Sequence, residues 1–332
     1  MILRFILILF FLYPNNSFAN FENSNGEQIN KSLKDLIRWQ RNQNKPNLSY
    51  IDISDQWKEI NLKKDKNYTI WIGHSTFLIK KDNTTILTDP VFSDRASPFK
   101  RFGPKRLIPP AISIENLPPI DVITISHNHY DHLDIRSLKK IYEINPNVIF
   151  LIPMGDKKIF EKKKIKNVFE FLWWDNFEVN EVQFTFTPVQ HWSARGFFDR
   201  NESLWGGWFI KFNDFSVFHA GDTGYSDDFI ETQKRLGSPK YSFIPIGAYD
   251  PEWFMAASHV NPEDAIKIKK DLQSEYSFGM HWATFTLTSE DTLEPRQRLK
   301  KELENQNIDN FDTLIPGEVI YINWNINTQG CN

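Results

Sequence analysis

"SHNHYDHLD" (residues 126–134) sets three histidines and two aspartates within nine positions of a 332-residue chain that has eight histidines in all. A solvated polar loop accounts for one such His, but it requires no partners elsewhere in the chain. A structural metal clip usually recruits thiolates, and the single cysteine is far away at Cys331. The other polar residues decide between these readings, because they too stand where short apolar runs end. The opening segment follows "DVITIS" (121–126), and His191 follows "FTFTPVQ" (184–190). Asp222 lies in "FHAGDTGY" (218–225), and His281 lies in "FGMHWATF" (278–285). Loops at strand ends are where rigid scaffolds display catalytic groups. Five His and two Asp at four successive strand ends are not explained by solvation.

Neutral imidazoles and carboxylates suit zinc, and three or four such groups with one position open make a catalytic site. His127 and His129, two apart in an extended turn, project the same way and can share one ion with His191. Asp131 and His132 then face a second ion with His281, and Asp222 is the carboxylate that can bridge the two. Two metals about 3.5–4 Å apart stabilise attacking and leaving oxygens together, and they bring the pKa of water from about 15.7 to near 7. The pattern predicts a binuclear zinc hydrolase.

The runs that frame these residues are four to six long and rich in β-branched and aromatic residues: "YTIWI", "TFLIK", "TTILT", "NVIFLI", "VQFTFT", "WFIKF", "FSVFHA" and "YSFIPI". Such runs read as strands. Helical patterns fall at 134–143, 262–273 and 289–304. Hairpins followed by helices, twice over, predict an α/β (α+β) chain with two sheets packed face to face and helices outside. The hydrolase domain is expected over 67–332. Residues 20–66, polar and rich in Asn and Lys, carry one helical pattern around Leu33, Ile37 and Trp39 and read as an arm packing on that domain.

With 40% hydrophobic residues, 28 Phe and 11 Trp, the chain has enough apolar surface for a large core or a groove. A net charge of −3 offers no long-range attraction to nucleic acid, and no basic stripe stands out; "EKKKIK" (161–166) reads as a solvated helix end. The N-terminus, "MILRFILILFFLYPNNSFAN", has one Arg, an apolar run, a break at Pro14, and Ser17 and Ala19 as small residues before a cut. That pattern predicts a secretory signal peptide over 1–19 and export, to the periplasm if the source has two membranes. The run is too short to span a bilayer, which takes roughly 18 or more apolar residues. A single Cys excludes an internal disulfide framework.

Further stretches narrow the reading: "LTDPVFSDRASPFKRFGPKR" (87–106), "LWGGW" (204–208), "GDTGY" (221–225), "IPIGAYDPEWFM" (244–255) and "HWATFTLTSE" (281–290). Together with HxHxDH they resemble the metallo-β-lactamase fold superfamily and, within it, the N-acylphosphatidylethanolamine-hydrolysing phospholipase D family. The resemblance runs from "WIGHSTFLI" (71–79) to near Glu290. It implies a four-layer αββα sandwich, two zinc ions, and cleavage of a phosphodiester to phosphatidate and an N-acylethanolamine. By that match His127, His129 and His191 hold one zinc, Asp131, His132 and His281 hold the other, and Asp222 bridges. His259 matches an active-site histidine and, with Asp131, is the expected catalytic residue; a solvated His beside Asn261 and Pro262 is the plainer alternative. Asp89 either orients a ligand imidazole or is a turn Asp before Pro90. His74 either supports the site or is a hydrogen-bonded core His, and His219 reads as a packed strand residue.

The implied partner is a phospholipid met in transient contact with a membrane surface, and a homodimer is compatible with the sequence. Trp253 and Phe254, with Phe197 and Phe198, are expected to line a groove for acyl chains. The rival readings are a zinc hydrolase of another ester, such as a sugar-phosphate lactone, and a non-catalytic zinc-binding protein. A phospholipase D of the HxK type is excluded, since no His has Lys two residues later. The leader predicts a mature N-terminus at Asn20. Edman sequencing of the exported protein checks it, and an intact Met1 would point to an anchor instead.

Overall fold

Alternation along the first strand sends Trp71 to one side and Ile70 and Ile72 to the other, and both sides are buried. A strand buried on both faces must lie between two layers. The computed structural model describes residues 20–322 apart from Gln43, Lys66 and Phe197; the expected leader and Cys331 lie outside the described residues.

Among the described residues two seven-stranded sheets form. The first is built from β1 (Tyr68–Gly73), β2 (Thr76–Lys81), β3 (Thr84–Thr88), β4 (Val122–Thr124), β5 (Ile149–Pro153), β6 (Val168–Phe171) and, at its edge, β14 (Val319–Tyr321), in the order β14-β1-β2-β3-β4-β5-β6. The second comprises β7 (Asn176–Val179), β8 (Val182–Thr187), β9 (Gly207–Lys211), β10 (Ser216–His219), β11 (Tyr241–Pro245), β12 (Tyr276–Met280) and β13 (Phe311–Thr313), ordered β13-β12-β11-β10-β9-β8-β7. In each half antiparallel hairpins come first and parallel strands follow. Parallel neighbours need crossovers. Helices supply several of them: α2 (Ile135–Ile144) between β4 and β5, α3 (Lys157–Glu161) between β5 and β6, α4 (Asp228–Leu236) between β10 and β11, and α6 (Pro262–Leu272) between β11 and β12. The expected sandwich is therefore the observed one.

Between the sheets the core is aromatic. Phe77 of β2 stacks on Phe243 of β11 with centroids 3.9 Å apart, and Phe171 of β6 meets Trp208 of β9 edge-on at 5.2 Å. Outside the first sheet, Leu138 and Ile141 of α2 cover Leu78, Leu87, Ile123 and Phe150. The last long helix, α7 (Glu294–Gln306), starts later than its apolar pattern suggested, because Glu290 is drawn inward to accept from the Ala248 and Asp250 backbone.

Residues 20–66 carry α1 (Leu33–Arg41), whose N-cap Ser32 forms a reciprocal capping box with Asp35. Its Trp39 stacks on Phe254 with centroids 5.1 Å apart and planes 6° from parallel, and Leu36 completes a small separate core. This corrects the groove assignment of Phe254. It is 3% exposed, on the short helix α5 (Glu252–Met255), because the arm supplies an aromatic partner that no local pattern announces. Its neighbour Trp253 stays 42% exposed under the Arg38 guanidinium, and Phe198 is exposed. Phe197 lies outside the described residues.

Truncating either member of the Trp39–Phe254 stack should cost about 2–3 kcal/mol, towards the low side of buried aromatic deletions because this cluster is small. Urea unfolding of Trp39→Ala, Phe254→Ala and the double variant checks it. The double variant should lose less than the sum, since the two rings touch; a Phe254 facing a groove would cost almost nothing.

Candidate metal centre

Strand ends from both sheets converge on one edge of the sandwich. After β4 the chain turns tightly, with the His132 and Leu133 amides donating to the His129 carbonyl. Asp134 then caps α2 by accepting from the Arg136 amide. This turn carries four donor side chains, at 127, 129, 131 and 132. Opposite it, Gly221 takes φ +63°, and a Cβ there would lie 2.5 Å from the Ser126 Cβ. Only glycine lets the β10 end approach the β4 end so closely, and the next residue is Asp222.

Two donor groups result. His127 Nε2 lies 2.8 Å from His129 Nδ1, and His191 Nε2 lies 3.3 Å from the same atom. In the second group Asp131 Oδ2 is 3.5 Å from His281 Nε2 and 3.8 Å from His132 Nε2. Asp222 joins them: its Oδ2 lies 3.1 Å from His132 Nε2 and 3.8 Å from His127 Nε2, while its Oδ1 lies 3.0 Å from His281 Nε2. Despite these short separations, the Nε2 atoms of His132 and His281 and Oδ1 of Asp222 have no aligned hydrogen-bond partner. Atoms that crowd together without aligning on one another are aimed at a common point. A divalent cation bound by imidazole and carboxylate fits that arrangement.

The outer nitrogens are tied down in the way metal-ligating histidines require. His132 Nδ1 donates to Asp89 Oδ2 at 2.8 Å, and His191 Nδ1 donates to the Ser258 carbonyl at 2.9 Å. His127 Nδ1 sits 3.0 Å from Ser126 Oγ, which in turn bonds Asp89. In each ring the outer bond directs Nε2 inward. Asp89 thus holds two of the donor imidazoles rather than a local turn. His74 Nε2 donates to Asp131 Oδ2 at 3.2 Å and its ring packs 4.0 Å from that of His281, so His74 belongs to the centre. His259 stands beside it, Nδ1 3.9 Å from Asp222 Oδ2 and its ring 5.2 Å from that of His191. His219 lies in β10 and donates to the Ser75 carbonyl.

Burial sets the charges. It holds His127 and His191 well below the usual imidazole value and brings His129 and His74 to about 3 and His259 to about 4, so these rings are neutral at pH 7. For His281 burial works the same way, but the nearby negative charges, Asp222 first and then Asp131, outweigh it and push the ring up to about 9. His132 is raised likewise: burial opposes its charge, and Asp222 and Asp131 prevail. Burial alone would raise Asp222, and His132 with His281 more than reverses that, so the carboxylate stays ionised.

Several supporting groups carried no readable sequence signal. The Asn23 Oδ1 accepts from the His191 amide at 3.0 Å and from Trp205 Nε1, so the arm reaches the back of a donor residue. Trp192 packs edge-on to His129 at 4.3 Å; its adjacency to His191 was the only clue. The Ser258 carbonyl is anonymous in sequence.

Five imidazoles and two carboxylates at the rim of an αββα sandwich define a metal-dependent hydrolase of the metallo-β-lactamase fold. The profile of the beta-lactamase superfamily domain matches residues 84–282. The chain is 37% identical over 266 residues to the N-acyl-phosphatidylethanolamine-hydrolyzing phospholipase D 1 of Caenorhabditis elegans, covering 76% of this chain and 75% of that one. It is 38% identical over 240 residues to the mitochondrial N-acyl-phosphatidylethanolamine-hydrolyzing phospholipase D of Saccharomyces cerevisiae, spanning 70% of this chain and about half (51%) of the yeast protein. Among solved structures, the Ignicoccus hospitalis metallo hydrolase Igni18 shares the fold with TM-score 0.58 and 20% identity, over 76% of this chain and 97% of its own. The chain belongs to the beta-lactamase superfamily and, within it, to the family of the N-acylphosphatidylethanolamine-hydrolysing phospholipases D.

Because His132 and His281 hold protons at pH 7 that a cation must displace, metal uptake should acidify a weakly buffered solution, and affinity should fall as pH falls. Asp89→Asn should weaken the cation about 10–100-fold while leaving every donor atom in place. Competition with a chromophoric chelator across pH measures both, and an unchanged affinity in Asp89→Asn would sink the assigned role.

Proposed function

We propose that the chain is a binuclear zinc phosphodiesterase that cleaves N-acylphosphatidylethanolamine to phosphatidate and an N-acylethanolamine. The observation that carries this is the pair of donor groups sharing Asp222, in a chain 37% identical to a protein bearing that activity in its name. One ion is assigned to His127, His129 and His191, the other to Asp131, His132 and His281, with Asp222 between. When bound, such a pair lowers the pKa of water and neutralises charge developing on phosphoryl oxygens.

The protein's own groups orient the reaction. Asp222 stays ionised, and Asp131, held by His74, fixes the second donor group. Neutral His259, with its buried Nδ1 unpaired, offers one N–H and one lone pair at the rim of the centre. It can donate its N–H to a phosphoryl oxygen, or relay a proton by accepting one at its free nitrogen as it gives its N–H to the ethanolamine-side oxygen leaving phosphorus. Trp253, Phe198 and Trp192 are the aromatic surface we assign to the acyl chains, each buried methylene contributing about 0.8 kcal/mol. Export through the leader over 1–19 is part of the same proposal.

Incubation with a panel of phospholipids, with and without chelator, followed by mass analysis of products, tests the reading. The expected result is chelator-sensitive release of phosphatidate and N-acylethanolamine. Hydrolysis of a sugar-phosphate lactone with no lipid turnover would overturn it in favour of another ester. Elemental analysis of zinc-replete protein should give two equivalents per chain, falling by at least one in Asp222→Ala; one equivalent or fewer in the wild type would end the binuclear assignment.

A further inference from the structure

Beside the metal centre rises a loop whose charge the chain-wide balance conceals. Residues 94–106 carry five basic side chains (Arg95, Lys100, Arg101, Lys105 and Arg106) against one acid, Asp94, in a chain of net charge −3. Its crest is "PFKRF" (98–102), exposed throughout: Phe99 and Phe102 are 53% and 54% exposed and flank the exposed Lys100 and Arg101. Two bare phenyl rings on one short crest bury no core and carry an unfavourable exposure to water.

The crest is exposed by construction, because the stem is firmly held. Arg95 and Lys105 pair across it, the Arg106 amide donates to the Asp94 carbonyl, and Arg95 Nη1 donates to the Gly103 carbonyl at 2.6 Å. Arg136 of α2 holds the Ser97 carbonyl. Gly103, at φ +98°, lies so near Ser97 that a Cβ would sit 2.5 Å from the serine Cβ. The stem also fixes where the crest stands. Arg106 bridges to Phe285 and covers its ring at 4.6 Å, and Phe285 meets His74 edge-on at 5.2 Å. His74 holds Asp131. The loop is thus built onto the wall of the metal centre.

We propose that the 98–102 crest docks the enzyme on an anionic phospholipid surface, with Phe99 and Phe102 entering the acyl boundary and Lys100, Arg101 and Lys105 at the level of the phosphates. Aromatic rings beside cations match that interface, where apolar burial and charge attraction add. Single-stranded nucleic acid also takes aromatics with cations, but it requires a basic groove that tracks its backbone; this is one narrow crest. The proposal rests on the lipid reading above, since a bilayer-embedded substrate must be met at its surface.

Flotation of the full chain tests it, using vesicles of phosphatidylcholine alone and of phosphatidylcholine with phosphatidylglycerol, neither containing an N-acylated lipid. The wild type should float with the anionic vesicles, more weakly as salt rises. The pair Lys100→Glu with Arg101→Glu, and separately Phe99→Ser with Phe102→Ser, should each lower partitioning at least about tenfold. Turnover of a soluble phosphodiester should match the wild type in both, since the changed side chains are at the exposed crest. A wild type that ignores anionic vesicles, double variants that float undiminished, or an oligonucleotide that displaces the vesicles would each overturn the proposal. Vesicle binding without lipid hydrolysis supports docking and refutes the substrate reading alone. Hydrolysis of detergent-dispersed lipid by a chain that does not float refutes docking alone.

Discussion

The carboxylate of Asp222 is the point at which the two sheets are made into one site. It leaves the end of β10 in the second sheet and comes within 3.1 Å of His132 and 3.8 Å of His127, both carried by the first sheet. His281, at the end of β12, closes on its other oxygen at 3.0 Å. A buried ionised carboxylate costs several kcal/mol unless opposite charge and hydrogen bonds compensate it. The compensation is the surrounding imidazoles, and their placement fixes how the sheet ends must sit. Gly221 allows the approach, and the aromatic core between the sheets supplies the rigidity that holds it.

A second set of groups keeps the donors aimed. Asp89 anchors His132 directly and His127 through Ser126, and it sits with φ +36° in a region that side chains seldom adopt. His74 and His281 also have positive φ, 57° and 64°. Left-handed backbone at three non-glycine residues around one centre is strain of order 1–3 kcal/mol each, kept only where the surroundings over-determine it. Here they do: the His74 amide is held by Thr284 Oγ1, and the His281 amide by the His74 carbonyl.

Distant parts of the chain meet on the same edge. The arm brings Asn23 to the His191 amide and Trp39 to Phe254, and the basic loop between β3 and β4 stands on Phe285. The arm and the stem of the basic loop are therefore both tied to residues of the centre, the arm at His191 and the loop through Phe285 at His74.

The donor residues themselves were legible in the sequence, because chemistry and position coincide in them. Polar residues that end apolar runs have few structural uses, so His127, His129, Asp131, His132, His191, Asp222 and His281 stood out by type and by place. The sandwich was legible for a related reason: strand-length runs in hairpins, then helices, repeated once, leave few ways to bury both faces. Partners without a periodic signal were hidden. Phe254 read as a groove residue because Trp39, which buries it, lies more than 200 positions away and belongs to an arm with little pattern. The Ser258 carbonyl is backbone, and the Asn23 side chain accepts from the backbone amide of a residue 168 positions away, so no local residue pattern announces either. The crest at 98–102 vanished in a chain-wide charge near balance, since charge becomes a patch only when folding decides which side chains face water together. Residue type and spacing determined which groups the chemistry would use; the folded chain decided what holds each of them still, because those restraints join atoms that are remote in sequence.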